Sequence, residues 1–206
     1  MKFYTSIGPN PRVVKMFMAE KGINLPRVEV DLMGGENRQD NHLARNPSGQ
    51  TPTLELDDGS YLSEITAICE YLEELHPTPP LIGATPQERA MTRMWTRRVD
   101  LHVVEPMLNG FRASQGYEIF KHRVRLMPQA ADDLKTLAQE RIIWLNGLIA
   151  GRDFVAGPRL TLADILLYCT LDFGASVGQP LNADNANITA WFARMNARPS
   201  AEASRA

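Results

Sequence analysis

The spacing of apolar positions changes once along this chain, between about residues 75 and 87. Before that point, short segments with alternating apolar residues lie between segments whose apolar residues recur at helical spacing. After it, every periodic segment has the helical spacing and no convincing strand pattern remains. The pattern predicts an α/β domain followed by an all-α domain.

The first part of the α/β domain has a strand, helix, strand pattern. Lys2–Ser6 is strand-like, and Asn10-Pro11 begins a helical pattern that Gly22 ends as a left-handed cap. Arg27–Asp31 then alternates, with its two valines on one face. This βαβ order predicts a parallel pair of strands.

The second part of this domain adds a hairpin and a helix. Residues 34–41 are Gly-rich and polar, which favours a loop with one irregular helical turn. Two strand-like segments, 53–56 and 60–62, flank Asp57-Asp58-Gly59, a typical hairpin turn. A helix follows, for which we expect Ser63 as N-cap. The predicted order is βαβ-ββα.

A proline-rich segment separates the two predicted domains. Residues 77–86 contain four prolines and a glycine, so neither a helix nor a strand ladder can continue through them. We therefore expect one domain over 1–76, a linker over 77–86 and an all-α domain over 87–206. Helical periodicity covers roughly 87–109, 118–150, 162–173 and 188–197, with a break or kink at Met127-Pro128.

Composition excludes several classes of function. The formal net charge is −2 and the basic residues are scattered, so a nucleic-acid partner is not expected. No secretory signal pattern and no apolar run long enough to span a membrane are present. Cys69 and Cys169 lie far apart in apolar helical patterns, which favours a reducing, cytoplasmic setting. The four histidines have no metal-ligand spacing, and we expect no metal.

Two features of the first domain suggest that it binds a peptide. Pro52 follows Thr51 at the start of a strand, where an ordinary trans proline is the commoner case. A cis Pro52 would leave the Thr51 amide and carbonyl free to pair with a peptide as with a neighbouring strand. One hairpin later, the helix start at Glu64-Ile65-Thr66 offers amides to a carboxylate and the Glu64 side chain to an ammonium. Alternatively, Glu64 only complements the helix dipole. Together the features fit a receptor for a γ-glutamyl peptide.

The same motifs resemble those of cytosolic glutathione transferases. They are Gln50-Thr51-Pro52, Leu62-Ser63-Glu64-Ile65-Thr66-Ala67-Ile68-Cys69-Glu70-Tyr71-Leu72, the proline-rich linker, and Phe154-Val155-Ala156-Gly157-Pro158-Arg159-Leu160-Thr161-Leu162-Ala163-Asp164. The resemblance covers essentially the whole chain. It implies a thioredoxin-like first domain, an all-helical second domain, a homodimer and glutathione as cosubstrate. It also implies that Pro52 is cis and that Thr51 pairs with the cysteinyl backbone of glutathione.

The chain departs from the family pattern beside Glu64. Many members have a serine there whose hydroxyl binds the γ-glutamyl carboxylate, whereas this chain has Ile65. The Ile65 backbone amide can still bind the carboxylate, and Thr66 is a candidate for the missing hydroxyl. The expected glutathione-binding residues are therefore Gln50, Thr51, Pro52, Glu64, Ile65 and Thr66.

The resemblance implies a thiol-activating residue between the first strand and the first helix. Asn10, Ser6 and Tyr4 are the candidates, and we favour Asn10. Its side-chain amide could donate a hydrogen bond to the sulfur beside the positive end of a helix. The alternative readings are that Asn10 is an N-cap before Pro11 and that Tyr4 and Ser6 are ordinary strand residues.

The predicted activity is conjugation of the glutathione thiol to a small apolar electrophile. His102, Phe111 and Arg112 are candidate cosubstrate residues of the helical domain, because such sites combine aromatic walls with a few polar groups. Two alternatives stay open: glutathione-dependent disulfide or peroxide reduction, and a non-catalytic binding or regulatory protein on the same fold. Thr161 and Asp164 have the spacing of a capping box, to which we assign a role in folding.

Overall fold

The structure is a computed structural model that describes residues 1–205. Its contacts divide the chain into two compact units. The first unit contains Met1–Leu81 together with the chain from Pro199 onward, and the second contains Ile82–Arg198. The last helix thus joins the first unit, a placement for which the local sequence pattern has no signal.

The first unit is built on a four-stranded sheet. Its strands are β1 (Lys2–Thr5), β2 (Arg27–Glu29), β3 (Thr53–Glu55) and β4 (Tyr61–Ser63). They lie in the order β2-β1-β3-β4, with β1 parallel to β2 and antiparallel to β3, and β3 antiparallel to β4. The predicted βαβ-ββα order is confirmed.

Four helices and one 3-10 turn complete this unit. The helices are α1 (Pro9–Lys21), α2 (Asp40–Leu43), α3 (Ile65–Leu75) and α10 (Pro199–Ala203), which follows the second unit in sequence, and the 3-10 turn is Glu36–Arg38. Among the fully buried side chains are Phe3 and Leu54 from the sheet, Phe17 from α1, and Ile68 and Leu72 from α3. Their burial supplies the main hydrophobic stabilisation of this unit.

Two of these helices, α1 and α3, begin differently from the sequence prediction. Helix α1 starts at Pro9 with Gly8 as N-cap at φ 118°, so Asn10 lies in the first turn and is not the cap. The fixed φ of proline suits this first helical position, and glycine allows the backbone angle that precedes it. The expected Ser63 cap is wrong as well. Ser63 pairs with Thr53 as the last residue of β4, and Glu64 is the N-cap of α3.

A buried ion pair holds residues 76–81, at the end of this unit's main segment, in place. The Lys21 ammonium lies 2.6 Å from the Glu73 carboxylate, and it donates to the backbone carbonyls of His76 and Pro79 at 2.6 and 2.7 Å. The Leu81 amide donates to the same carboxylate at 3.2 Å. These bonds tie residues 76–81, where we expected the linker to begin, to helices α1 and α3.

The second unit is helical. Its α-helices are α4 (Pro86–Val99), α5 (Glu105–Arg112), α6 (Tyr117–Phe120), α7 (Ala131–Leu148), α8 (Leu162–Ser176) and α9 (Ala186–Asn196). A π-helical segment, Asp100–Val104, joins α4 to α5, and a 3-10 turn, Pro128–Ala130, precedes α7. Among residues 82–198 the structure has no strand beyond an isolated bridge between Phe154 and Gly157. The all-α prediction is confirmed.

One predicted helical segment is interrupted. Helical spacing predicts 118–150 as one segment with a break or kink at Met127-Pro128, but residues 121–127 are not helical. Because Pro128 disfavours helical angles at the residue before it, α7 begins only beyond this proline.

Helix α8 is the centre of the second unit. Every residue from Leu162 to Leu171 is buried, and α8 contacts both α4 and α9. Within residues 1–205, no helix combines the length and the apolar character needed to cross a membrane.

Candidate functional site

Three chain segments meet at one end of the sheet in the first unit. Thr53 is the first residue of β3 and pairs with Tyr4 near the end of β1 and with Ser63 at the end of β4. Paired strands lie about 4.8 Å apart, so the residues just beyond these positions are neighbours. They are Thr51-Pro52, the segment from Ser6 to Asn10, and the start of α3 at Glu64. The register therefore brings the predicted peptide edge and the predicted helix start together.

The Thr51 backbone forms a free edge at this end of the sheet. The Thr51–Pro52 peptide bond is cis, as the resemblance implies. The hydrogen bonds of residues 1–205 include none to the Thr51 amide or carbonyl. The Thr51 side chain is instead buried against Ser6, with 2.6 Å between the two hydroxyl oxygens. Its main-chain groups are therefore available to a ligand.

Two polar side chains that the sequence analysis did not assign to the site hold the preceding residue. His42 Nε2 and Asn46 Nδ2 both lie within hydrogen-bond distance of the Gln50 carbonyl oxygen, at 2.9 and 3.0 Å. Both side chains are buried, and Asn46 Oδ1 also accepts from the Ser48 amide and hydroxyl. Asn46 stands directly before Pro47, and such Asn-Pro steps favour turns, which is the signal that could have pointed to it.

Gly49 completes the loop before Gln50. Its φ is 62°, and a Cβ at this position would come within 2.5 Å of Arg38 Nη1 and 3.0 Å of the Asn37 carbonyl. The Gly49 carbonyl accepts a hydrogen bond of 2.7 Å from Asn37 Nδ2. Glycine is required here for both its backbone angle and the close approach of the 3-10 turn.

Glu64 has an unusual backbone conformation. Its φ of 69° is the only positive φ of a non-glycine residue in the described chain, residues 1–205. Such a conformation costs on the order of 1–3 kcal/mol and is found preferentially at functional sites. The Glu64 side chain is exposed and does not cap α3. The strain thus serves no capping interaction and marks this turn as a candidate for ligand binding.

The first amides of α3 have no partner in the helix. The Ile68 amide makes the first intrahelical hydrogen bond, to the Glu64 carbonyl at 3.0 Å. The amides of Ile65 and Thr66 precede it, so they are among the donors that a helix start leaves free. Ile65 is half-buried and Thr66 is exposed. These amides and the helix dipole can bind a carboxylate.

Asn10 lies in the first turn of α1 between two prolines. Because Pro9 and Pro11 have no N–H, Asn10 has the only backbone amide among the first three helical positions. Asn10 is half-buried, and its side chain makes no hydrogen bond within residues 1–205. The positive end of α1 is thus available through the Asn10 backbone amide, and the Asn10 side-chain amide is a second free donor in the same turn.

Tyr4 and Ser6, the other candidates for thiol activation, are engaged with the protein itself. The Tyr4 hydroxyl donates to the Glu55 carboxylate at 2.7 Å, and the Arg45 guanidinium lies over its ring. The hydrogen bond to Glu55 and burial raise the pKa of Tyr4 above its ordinary value. Ser6 is 2% exposed, and its hydroxyl donates to the Ile7 carbonyl besides contacting Thr51. Asn10 is the candidate whose donor is not already used.

In the second unit, two of the three candidate cosubstrate residues belong to one cluster. The half-buried Phe111 ring contacts Phe120 and Phe173 edge-to-face, with centroids 6.1 and 5.0 Å apart. The Arg112 guanidinium lies 5.7 Å from the Phe120 centroid and donates to Asn109 Oδ1 at 3.2 Å. Burial lowers the pKa of Arg112 from its ordinary value. The cluster combines aromatic surface with a cation.

His102, the third candidate, lies in the π-helical segment and contacts a different ring. Its centroid is 5.3 Å from that of Trp144 on α7. A cavity of about 350 Å³ in the same unit lies between the start of α4 and the segment before α8. None of the three candidates lines it, and its lining residues are Thr85, Gln87, Glu88, Met91, Thr92, Ala156, Pro158, Arg159 and Thr161. Within residues 1–205, no group of three or more His, Cys, Asp or Glu residues could hold a metal ion.

Comparison with known proteins gives the same family for both ends of the chain. Residues 7–75 match the family described as "Glutathione S-transferase, N-terminal domain", and residues 126–199 match "Glutathione S-transferase, C-terminal domain". Glutathione S-transferase 2 of Saccharomyces cerevisiae is 32% identical over 203 residues, which cover 95% of this chain and 85% of the yeast protein.

Solved structures agree with these matches. A glutathione S-transferase domain-containing protein of Marinobacter aquaeolei has a TM-score of 0.91 at 36% identity, covering 97% of this chain and 99% of that chain. Gtt2 of Saccharomyces cerevisiae has a TM-score of 0.92 at 31% identity, covering 99% of this chain and 100% of that chain. The likeness in fold thus extends over nearly the whole chain.

Proposed function

Because the chain belongs to the glutathione S-transferase family, with glutathione as cosubstrate, we propose that it conjugates the glutathione thiol to a small apolar electrophile. One observation carries the proposal. The free Thr51 edge, the α3 start without a side-chain capping bond, and the Asn10 amides lie at one end of a single sheet. A tripeptide with an ammonium, two carboxylates and a thiol matches this set of donors and acceptors.

Each part of glutathione has a proposed partner. The cysteinyl main chain pairs with the Thr51 amide and carbonyl beside Gln50 and Pro52, as an added strand would. The γ-glutamyl carboxylate accepts from the Ile65 and Thr66 amides, and its ammonium binds the Glu64 carboxylate. The Ile65 amide replaces the serine hydroxyl that many family members have at this position.

Asn10 is the proposed thiol-activating residue. Its side-chain amide donates to the sulfur, and the first turn of α1 adds its positive potential. A hydrogen bond to a charged group contributes about 1.5–3 kcal/mol, which would lower the thiol pKa by roughly one to two units. The thiol proton passes to solvent, the thiolate forms the new C–S bond, and the leaving group departs with its electron pair.

The electrophile is proposed to contact the helical unit. The Phe111 cluster offers aromatic surface and the neighbouring Arg112 a cation, and His102 adds a polar edge beside Trp144. This combination fits a small aromatic acceptor better than a long flexible one.

Two measurements on the purified protein test the proposal. Isothermal titration should show saturable binding of glutathione, and the protein should release chloride from 1-chloro-2,4-dinitrobenzene in the presence of glutathione. Absence of saturable glutathione binding would overturn the proposal at its first step. A homodimer in the cytoplasm is also proposed from the family resemblance, and light scattering after gel filtration checks the dimer.

Two other activities remain alternatives, each for a specific reason. A neutral Asn10 in the activating position also suits glutathione-dependent reduction of disulfides or peroxides, which a mixed-disulfide substrate would reveal. Ile65 in place of serine favours a protein that binds without catalysis. In that case the thiol pKa of bound glutathione, followed by thiolate absorbance, should stay near that of free glutathione.

A further inference from the structure

Two buried side chains hydrogen-bond to the Gln50 carbonyl from the interior of the first unit. His42 is 0% exposed and Asn46 is 2% exposed. A carbonyl oxygen only accepts hydrogen bonds, so His42 Nε2 carries a proton and donates it over 2.9 Å. Asn46 Nδ2 donates to the same oxygen over 3.0 Å. Both acceptor positions of this carbonyl are therefore used.

These two hydrogen bonds fix the direction of the next backbone amide, that of Thr51. The Gln50–Thr51 peptide bond is trans, since the cis bonds of residues 1–205 are those before Pro52 and Pro79. In a planar trans peptide the C=O and N–H of one unit point in opposite directions. With the Gln50 carbonyl held inward, the Thr51 N–H must point outward, away from His42 and Asn46. That amide is the one proposed to pair with the cysteinyl residue.

Within the described part of the chain, the buried His42 ring has a single polar contact. Its Nδ1 is buried without a hydrogen-bond partner in residues 1–205, so Gln50 is the one polar partner of its ring. A buried nitrogen without a partner is unfavourable, and an apolar side chain of similar size would avoid this penalty. Asn46 differs, because it also bonds Ser48 and Thr53. Among the described residues, the hydrogen bond to the Gln50 carbonyl is thus the only interaction that explains a polar ring at this buried position.

We propose that His42, supported by Asn46, is a positioning residue for the main chain of bound glutathione. The inference rests on the proposed function but assigns a role to residues outside the ligand contacts. Neither side chain touches the tripeptide, and both act through the Gln50–Thr51 peptide plane. Loss of the His42 donor should therefore weaken glutathione binding without changing how the bound thiol is ionised.

The test compares two replacements of His42 in the full-length protein. His42→Phe keeps the ring volume and removes the donor, whereas His42→Gln places an amide N–H near the position of Nε2. Three quantities are measured for wild type and both variants. They are the dissociation constant of glutathione, the KM for glutathione, and kcat, the last two with 1-chloro-2,4-dinitrobenzene as the second substrate. We expect His42→Phe to raise the dissociation constant and KM roughly tenfold or more with kcat within about threefold. His42→Gln should restore both to within about threefold of wild type.

The outcomes separate this inference from the proposed function. If wild type binds no glutathione, the proposed function fails and the inference fails with it. If wild type binds but a folded His42→Phe binds equally well, the inference alone is wrong. Equal weakening in His42→Phe and His42→Gln also contradicts it, because packing and not the donor would then be responsible. Should His42→Phe fail to fold by circular dichroism, His42→Met replaces it under the same criteria.

Discussion

Two helix starts in this protein are built in opposite ways. At the start of α8, the Asp164 carboxylate is 0% exposed and accepts from the Thr161 amide and hydroxyl, the Val155 amide and Trp191 Nε1, all at 2.8–2.9 Å. At the start of α3, the N-cap residue Glu64 is exposed, has a positive φ, and its side chain makes no capping hydrogen bond. One carboxylate serves the fold, and the other is free for a partner.

The difference separates structural from functional acidic residues. The start of α8 is a capping box, in which the buried Asp164 carboxylate accepts from the N-cap residue Thr161 and from neighbouring segments of the fold. Helix α3 leaves its first amides open and accepts backbone strain at the same place. Such unused donors beside strain identify a binding site better than the residue types do, since both starts contain an acidic residue. Four substitutions test this comparison.

The largest expected effect is on stability at the α8 start. Asp164→Ala leaves four buried donors without their acceptor and should lower the free energy of unfolding by about 4 kcal/mol. Urea unfolding followed by circular dichroism measures the change. Asp184→Ala, at an exposed aspartate of the same unit, is the control and should stay within about 0.5 kcal/mol of wild type. A loss below about 1 kcal/mol for Asp164→Ala would contradict the structural role.

At the α3 start, the same kind of change should affect binding instead. Glu64→Gly removes the carboxylate and relieves the positive φ, so glutathione affinity should fall roughly 30-fold, about 2 kcal/mol, while stability rises by about 1 kcal/mol. Titration calorimetry and urea unfolding measure the two quantities. Glu64→Ala is the matched variant, which should lose the same affinity without the gain in stability. Unchanged affinity in both variants would remove Glu64 from the site.

The α1 start should influence turnover more than binding. Asn10→Ala is expected to lower kcat about tenfold or more, roughly 1.5 kcal/mol, with the glutathione dissociation constant within threefold of wild type. The physical reason is that only the donor to the sulfur is lost. Steady-state kinetics with 1-chloro-2,4-dinitrobenzene provide the measurement. Unchanged turnover would move the role to Ser6 or Tyr4, which Ser6→Ala and Tyr4→Phe then examine.

The smallest effect is expected at a second structural helix start. Thr85 is the N-cap of α4 and accepts from the Glu88 amide at 3.2 Å. Thr85→Ala should cost about 1 kcal/mol of stability and leave glutathione affinity unchanged. Thermal unfolding and calorimetry measure both. A change in affinity comparable to that of Glu64→Gly would show that loss of a cap alone perturbs the site.

Much of the fold could be predicted because its signals are local. The alternation of β1 and β2, the hairpin turn at Asp58-Gly59 and the pairing of Thr161 with Asp164 all involve residues close in sequence. The predicted Ser63 cap was wrong because strand pairing with Thr53 outweighed a local preference of serine. The docking of α10 involves contacts such as Glu20 with Ser200, for which periodicity has no signal.

The site was predictable in its motifs but not in its geometry. Gln50-Thr51-Pro52 and Glu64-Ile65 indicated where a peptide would bind. The positive φ of Glu64 could not be predicted, because glutamate has no preference for that conformation. No local pattern around His42 indicates its role, since its contact with the Gln50 carbonyl depends on how the loop folds back. The sequence likewise could not show that the Asn10 donors remain free, because this depends on the residue at which α1 begins.

The central claim is that unpaired main-chain donors at Thr51, Ile65 and Thr66 bind glutathione. An amide NMR titration of ¹⁵N-labelled protein with glutathione tests it most directly. We predict saturable shifts of these three amides with little change at the amides of Val155 and Thr161, whose donors are already used by Asp164. Saturable binding that leaves the Thr51, Ile65 and Thr66 amides unshifted would contradict the account.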